Sequence, residues 1–184
     1  MIERLPSAEE TLKLLVHSGC SPKVIEHCKR VASIAARIAT ACQKRGLDVD
    51  AQLVRVGALL HDIGRSRTHS VDHVIEGAEI ARSLGLPEPV ILIIERHAGS
   101  GISIDEATKL GWPVKSYVPQ TLEEKIVTYA DKLVDGGREV PIGQTINKLS
   151  GELGETHPSI RRMRELHREF SCLIGDCDAR HNTS

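Results

Sequence analysis

At 184 residues, 40% apolar and 27% charged, the chain is long enough for one core-bearing domain and too apolar to be disordered. A net charge of −1, with one Trp, two Tyr and one Phe, leaves neither a basic field for a nucleic-acid backbone nor an aromatic platform for stacked bases. Direct nucleic-acid binding is therefore disfavoured, while a local phosphate site remains open.

Ser7 to Glu10 reads S-x-x-E, a capping box that opens a first helix ending by Gly19. Ser21-Pro22 starts a second, with serine as N-cap and proline in the first turn, running to Gly46. Val24, His27, Val31, Ile34, Ala35, Ile38 and Cys42 form its stripe, which faces His27 inward. Asp50 caps a third helix that ends on His61-Asp62, with Gly64 supplying the turn. Arg65, Arg67 and His69 follow in a polar connection that reads as solvated charge or as an anion clamp. Ser70 is expected to cap a fourth helix, in which His73 lies one turn before Gly77-Ala78, where small residues allow close packing. Pro87 and Pro89 punctuate the chain before a fifth helix, VILIIERHAG, which is apolar nearly all round and so should be central.

The stretch from 99 to 120 is irregular except for a short helix over 103–110, opened by another S-x-x-E, and is a candidate substrate lid. A third capping box, Thr121 to Glu124, opens LEEKIVTYADKLVDGG, which places Asp131 on an apolar stripe. A helix over 142–153 and a longer one from Pro158 to about Ile174 complete the chain. The last carries the stripe Ile160, Met163, Leu166, Phe170 and Leu173. That stripe is suited to packing on the domain or, alternatively, to a homodimer contact. His157, His167 and His181 read as surface or cap residues, and the tail after Gly175 as frayed. With no strand alternation, the expected fold is all-α: one domain over 1–184, a metal-binding core over 21–138 and a C-terminal helical extension over 139–175.

Nine histidines direct attention to ligands. His27, the His61-Asp62 pair, His73, His97 and Asp131 all sit on, or at the ends of, helices whose other inward residues are apolar. A buried aspartate without a partner is costly, and a shared divalent cation removes that cost for the whole set.

The order His27, His61-Asp62, Asp131 resembles the HD superfamily of metal-dependent phosphohydrolases. HDIG at 61–64 is similar to the family's second motif, and TYADKL around Asp131 resembles its last. His27 ahead of an alanine-rich apolar run resembles its first. The resemblance implies a single-metal site of His27, His61, Asp62 and Asp131. In two-metal members two further histidines are added, positions matched by His73 and, in a slightly different turn, by His97. It thus implies six ligands and two ions, with Asp62 bridging. Imidazole and carboxylate donors suit Fe, Mn, Co or Zn better than Mg. The GYP string of the response-regulator-type branch is absent, which speaks against a cyclic dinucleotide as substrate.

The activity so implied is hydrolysis of a small phosphate ester by a metal-activated hydroxide, the substrate being a nucleotide, a cyclic phosphodiester or a dinucleoside polyphosphate. Asp62, Arg65 and His69 are the candidate catalytic residues. Arg65, then Lys132 and Arg138, are candidates to hold substrate phosphate. Alternatives on the same scaffold are a di-iron oxygenase and a non-catalytic nucleotide-binding protein. The N-terminus lacks the apolar core of a signal peptide, and the longest apolar run, 90–94, is too short to span a membrane. Five cysteines (Cys20, Cys28, Cys42, Cys172, Cys177) with no C-x-x-C pattern read as reduced thiols. A cytoplasmic location is expected.

Overall fold

The structure, a computed structural model, describes residues 4–174; Cys177, His181 and the tail lie outside them. Nine α-helices are described: α1 Ala8–His17, α2 Pro22–Lys44, α3 Ala51–Leu60, α4 His73–Ser83, α5 Glu88–Arg96, α6 Ile104–Lys109, α7 Leu122–Lys132, α8 Ile142–Leu153 and α9 Pro158–Ile174. The fold is all-α apart from one small hairpin. None of the described helices is long and apolar enough to cross a membrane.

Side chains that satisfy free N–H groups set the helix starts. Ser7 and Glu10 form a reciprocal box at α1, as Ser103 and Glu106 do at α6. Ser21 caps α2, and Asp50 Oδ1 accepts from Gln52 and Leu53 N–H, both at 2.9 Å. Along α2, buried Val24, Cys28, Val31, Ala35, Ile38 and Cys42 recur at four- and three-residue steps, so one face is apolar over its whole length. From Val31 onward that face packs with Ile126, Val127 and Ala130 of α7 and with Ile160, Met163 and Phe170 of α9 in one cluster. Burying each of the larger aliphatic side chains stabilises the fold by about 2 kcal/mol. The stripe of α9 is thus spent within the chain.

A second cluster joins Leu15, Cys28, Leu60 and Ile63 to Ala78, Val90, Ile91 and Ile94. Helix α5 is buried as its composition requires, and its Glu95 is buried with it, held by Arg82 at 2.6 Å and Lys115 at 2.7 Å.

Several expectations are corrected. Helix α7 stops at Lys132, and the chain turns through an antiparallel pair, β1 Val134–Asp135 and β2 Arg138–Glu139. Gly136 and Gly137 take positive φ there, so the two glycines make a hairpin turn and not a helix end. Ser70 does not cap α4; that position is Asp72, whose side chain makes no cap bond. Pro89 lies in the first turn of α5, where a missing N–H costs nothing. Thr121 caps α7, but Glu124 turns away to Arg96 and to the N–H of Gln120. His167 is no surface residue without a role: its Nδ1 lies 2.9 Å from the Tyr129 hydroxyl. The free thiols of Cys20, Cys28 and Cys42 are buried and that of Cys172 half-buried.

Candidate metal centre

All six candidate ligands converge on one cluster. His61 ends α3, and Asp62 follows with φ −101° and ψ 16°, the bridge conformation common at functional sites. His73 opens α4, His97 follows α5, Asp131 sits in the last turn of α7, and His27 lies in α2. His61, Asp62, His73 and His97 are buried, while His27 and Asp131 are partly exposed.

Three of the histidines are oriented by one device. Nδ1 of His61, His73 and His97 lies 2.8, 2.7 and 2.8 Å from the carbonyl oxygens of Ala58, Ser70 and Ile94, each three residues earlier. A carbonyl only accepts, so Nδ1 carries the hydrogen and donates it. In the neutral ring Nε2 is then a bare lone pair aimed into the cluster.

Asp62 divides the cluster in two. Its Oδ1 lies 3.2 Å from His73 Nε2 and 3.5 Å from His97 Nε2. Its Oδ2 faces the other side, 3.7 Å from His61 Nε2 and 3.8 Å from His27 Nε2. On that side Asp131 Oδ1 lies 3.0 Å from His27 Nε2 and 3.5 Å from His61 Nε2.

The donors present fit divalent cations. His73 and His97 bring their Nε2 atoms within 3.1 Å of each other, so two lone pairs face one another unless a proton or a cation lies between. Burial pushes His97 down to about 4, so near neutral pH it is not the source of that proton. His61 Nε2 is buried with no hydrogen-bond partner. Ligand atoms of His27, His61 and Asp131, and separately of His61, Asp62 and His97, lie within 4.8 Å of one another, close enough to share an ion.

Electrostatics prepare the ligands. For Asp62, burial raises the carboxyl, but His61 and then the contacts to His73 and His97 hold it well below the usual range. For Asp131, burial is likewise overcome, first by Lys132, whose Nζ lies 2.6 Å from Oδ2. For His61, burial lowers the imidazole, yet the Asp62 carboxylate drives it well above its ordinary value. Without a cation, the Asp62 carboxylate favours a proton on His61, which a bound cation would displace. The expected result is release of about one proton per chain on metal binding, with affinity rising as pH rises. Titration calorimetry in buffers of different ionisation enthalpy reads this number directly; zero release would refute the protonated His61.

A cavity of about 520 Å³ opens on the His27 side and is lined by His27, Asp62, Arg65, His69 and Asp131, with the hairpin turn at Gly136 and Gly137. His61, His73 and His97 lie behind this lining. Arg65 donates from Nε to Asp62 Oδ2 at 2.7 Å and from Nη1 to the His69 carbonyl at 3.3 Å, which fixes its guanidinium at the cavity wall. The exposed side chain of His69 stands at the rim. Lys132 is turned onto Asp131 and does not line the cavity, and Arg138 is exposed on β2, also off the lining. Lys23 and Arg30 do line it, and sequence reasoning missed both. Their signal was helical spacing, because each lies one turn from His27. The 99–120 stretch is not a lid over this cavity. Trp112 and Tyr117 pack with Val74, Ala98 and Ile102, and Trp112 Nε1 donates to Asp72 Oδ1 at 2.7 Å, bracing the residue before His73 from behind.

The HD domain family model matches residues 24–134, from just before His27 to just past Asp131. The chain belongs to the HD domain family. This HD domain is 49% identical over 166 residues to uncharacterized protein MJ0778 of Methanocaldococcus jannaschii, covering 90% of this chain and 98% of that protein. It is 38% identical over 175 residues to a tRNA (cytidine(56)-2'-O)-methyltransferase of Picrophilus torridus, covering 95% of this chain but only 49% of that protein. The chain thus spans about half the length of that relative. A ribonuclease Y of Acidothermus cellulolyticus is 32% identical over 128 residues, 68% of this chain and 22% of that protein. Among solved structures, the HD domain of the L. monocytogenes phosphodiesterase PgpH in complex with cyclic-di-AMP shares the fold. Its TM-score is 0.52 at 22% identity, with 95% of this chain and 98% of that one covered.

Proposed function

We propose that this HD domain is a phosphodiesterase that holds two divalent cations, one on each side of Asp62, and cleaves a linkage between ribonucleotides. The observation that carries the reading is the two-faced Asp62: Oδ1 turned to His73 and His97, Oδ2 turned to His27 and His61. Six donors exceed the four that close a structural zinc site. Of the relatives, ribonuclease Y and the phosphodiesterase PgpH are named for cleaving phosphodiesters, and the chemistry they share is a phosphate between two nucleosides.

Divalent cations bound there supply a water activated near neutral pH and neutralise charge on the phosphoryl group. The remaining tasks fall to the chain. Arg65, held against Asp62, keeps part of its donor fork on the cavity side for a non-bridging phosphate oxygen. His69 at the rim is placed to hand a proton to the leaving oxygen. Lys132 keeps Asp131 ionised and oriented, a supporting role and not substrate contact. Among the described residues lining the cavity, the one hydroxyl, Ser21, is used as a helix cap.

The test is metal content of protein purified without chelator, combined with anaerobic hydrolysis of bis(p-nitrophenyl) phosphate under Mn or Fe. About two ions per chain in the wild type, falling to one or fewer in His73→Ala and His97→Ala, together with hydrolysis that needs no oxygen, is the expected result. An oxygen requirement would favour a di-iron oxygenase, and nucleotide binding without turnover under every metal would favour a sensor.

A further inference from the structure

We infer that Lys23 and Arg30 form a second anionic subsite, which takes a phosphate flanking the one at the metal centre. The inference rests on the phosphodiesterase reading and names its substrate class: a nucleotide chain carrying at least two phosphates, in preference to a mononucleotide.

Lys23, His27 and Arg30 follow one another at steps of four and three residues on α2, so they share a face. The helical rise places the two cations about 6 Å and about 4.5 Å along the axis from His27, on opposite sides of it. All three residues line the same cavity. Lys23 and Arg30 are exposed, and among the described residues neither side chain makes a hydrogen bond or a close ion pair. The acids on the lining are hydrogen-bonded to other groups or turned to the metal centre, although the charge of Arg30 also reaches Glu26. Glu26 accepts from Lys29 Nζ at 2.7 Å, and Asp135 from Lys148 Nζ at 3.2 Å. Asp62 and Asp131, the remaining carboxylates on the lining, face the metal centre. Two cations with no hydrogen-bonded acid partner, beside a site proposed to take a phosphoryl group, present charge-assisted donors to a second anion. A substrate with a single phosphate leaves them unused.

The probe is adenosine 3′,5′-bisphosphate, which has the two phosphates of a chain fragment and no diester to cleave. Its affinity for the Mn-loaded protein is compared by calorimetry with those of 3′-AMP and 5′-AMP, in the wild type and in a double variant carrying Lys23→Gln and Arg30→Gln. Both positions are exposed, and circular dichroism checks the fold. In the wild type the bisphosphate is expected to bind about tenfold more tightly than either monophosphate. In the double variant that advantage, together with its weakening by salt, should vanish, with monophosphate affinity unchanged within about twofold. Equal affinities in the wild type, or an advantage that survives both substitutions, would overturn the subsite. Failure to hydrolyse bis(p-nitrophenyl) phosphate would instead count against the phosphodiesterase reading, so the two failures are told apart.

Discussion

Replacing Asp62 by asparagine should lower phosphodiester hydrolysis at least about 10³-fold and leave the protein with fewer than one ion per chain. Partners in the outer shell of a metal site already cost 10- to 100-fold when removed, about one to two powers of ten below the loss expected for a shared ligand. Asp62 is the one residue whose two oxygens face both halves of the cluster, at 3.2 Å from His73 and 3.7 Å from His61. An amide keeps the shape, loses the charge, and turns an NH₂ donor toward one side or the other. The effect should lie in metal content and turnover rather than in folding, because asparagine is a smaller burden to bury than a carboxylate. Metal analysis, kcat and far-UV circular dichroism separate these. A variant that keeps two ions and a tenth of the activity would assign the bridging role to another residue.

A methyl group at Gly64 should be nearly as damaging, by an unrelated route. A Cβ there would stand 1.9 Å from the carbonyl oxygen of His73 and 2.5 Å from the backbone nitrogen of Gly77. Both are main-chain atoms of α4, so no side chain can swing away. Gly64 is not needed for a left-handed turn, as its place after a helix suggested; it is needed because the turn after Asp62 and α4 touch backbone to backbone. Gly64→Ala should cost about 4 kcal/mol, at the upper end of single substitutions. It should also pull His73 off the metal centre, lowering metal content in whatever folded protein remains. Chemical unfolding with metal analysis of the folded fraction reads both, and a loss under about 1 kcal/mol would show that α4 can move aside.

Both expectations concern residues of HDIG, and the string was legible in sequence for a physical reason. Ligands must be polar and inward at once, a combination that stands out on an apolar stripe. His27 on α2, Asp131 on α7 and the pair after α3 were all exposed by that conflict. Helix starts were legible wherever a side chain closes on its own backbone within three residues, as at Ser7, Asp50 and Ser103. The capping pattern failed, wholly at α4 and in its Glu124 half at α7, where a distant partner competed. Asp72 serves Trp112 across 40 residues, and Glu124 serves Arg96 across 28. The hairpin after Lys132 was missed because two residues per strand are too few to show alternation.

The sequence by itself determined the helical architecture and singled out six inward polar residues as candidate ligands, because both are written in local spacing and in polar residues placed where only apolar ones belong. Tertiary structure decided the rest. It turned the two oxygens of Asp62 to opposite sides, set the three Nδ1 atoms on carbonyls so that Nε2 faces inward, and put the 99–120 stretch behind His73 instead of over the cavity. It also sorted the cations: Lys132 onto Asp131, Arg138 away from the lining, Lys23 and Arg30 onto it. A charge has no partner until the chain folds, and the direction in which a long side chain points depends on acids dozens of residues away.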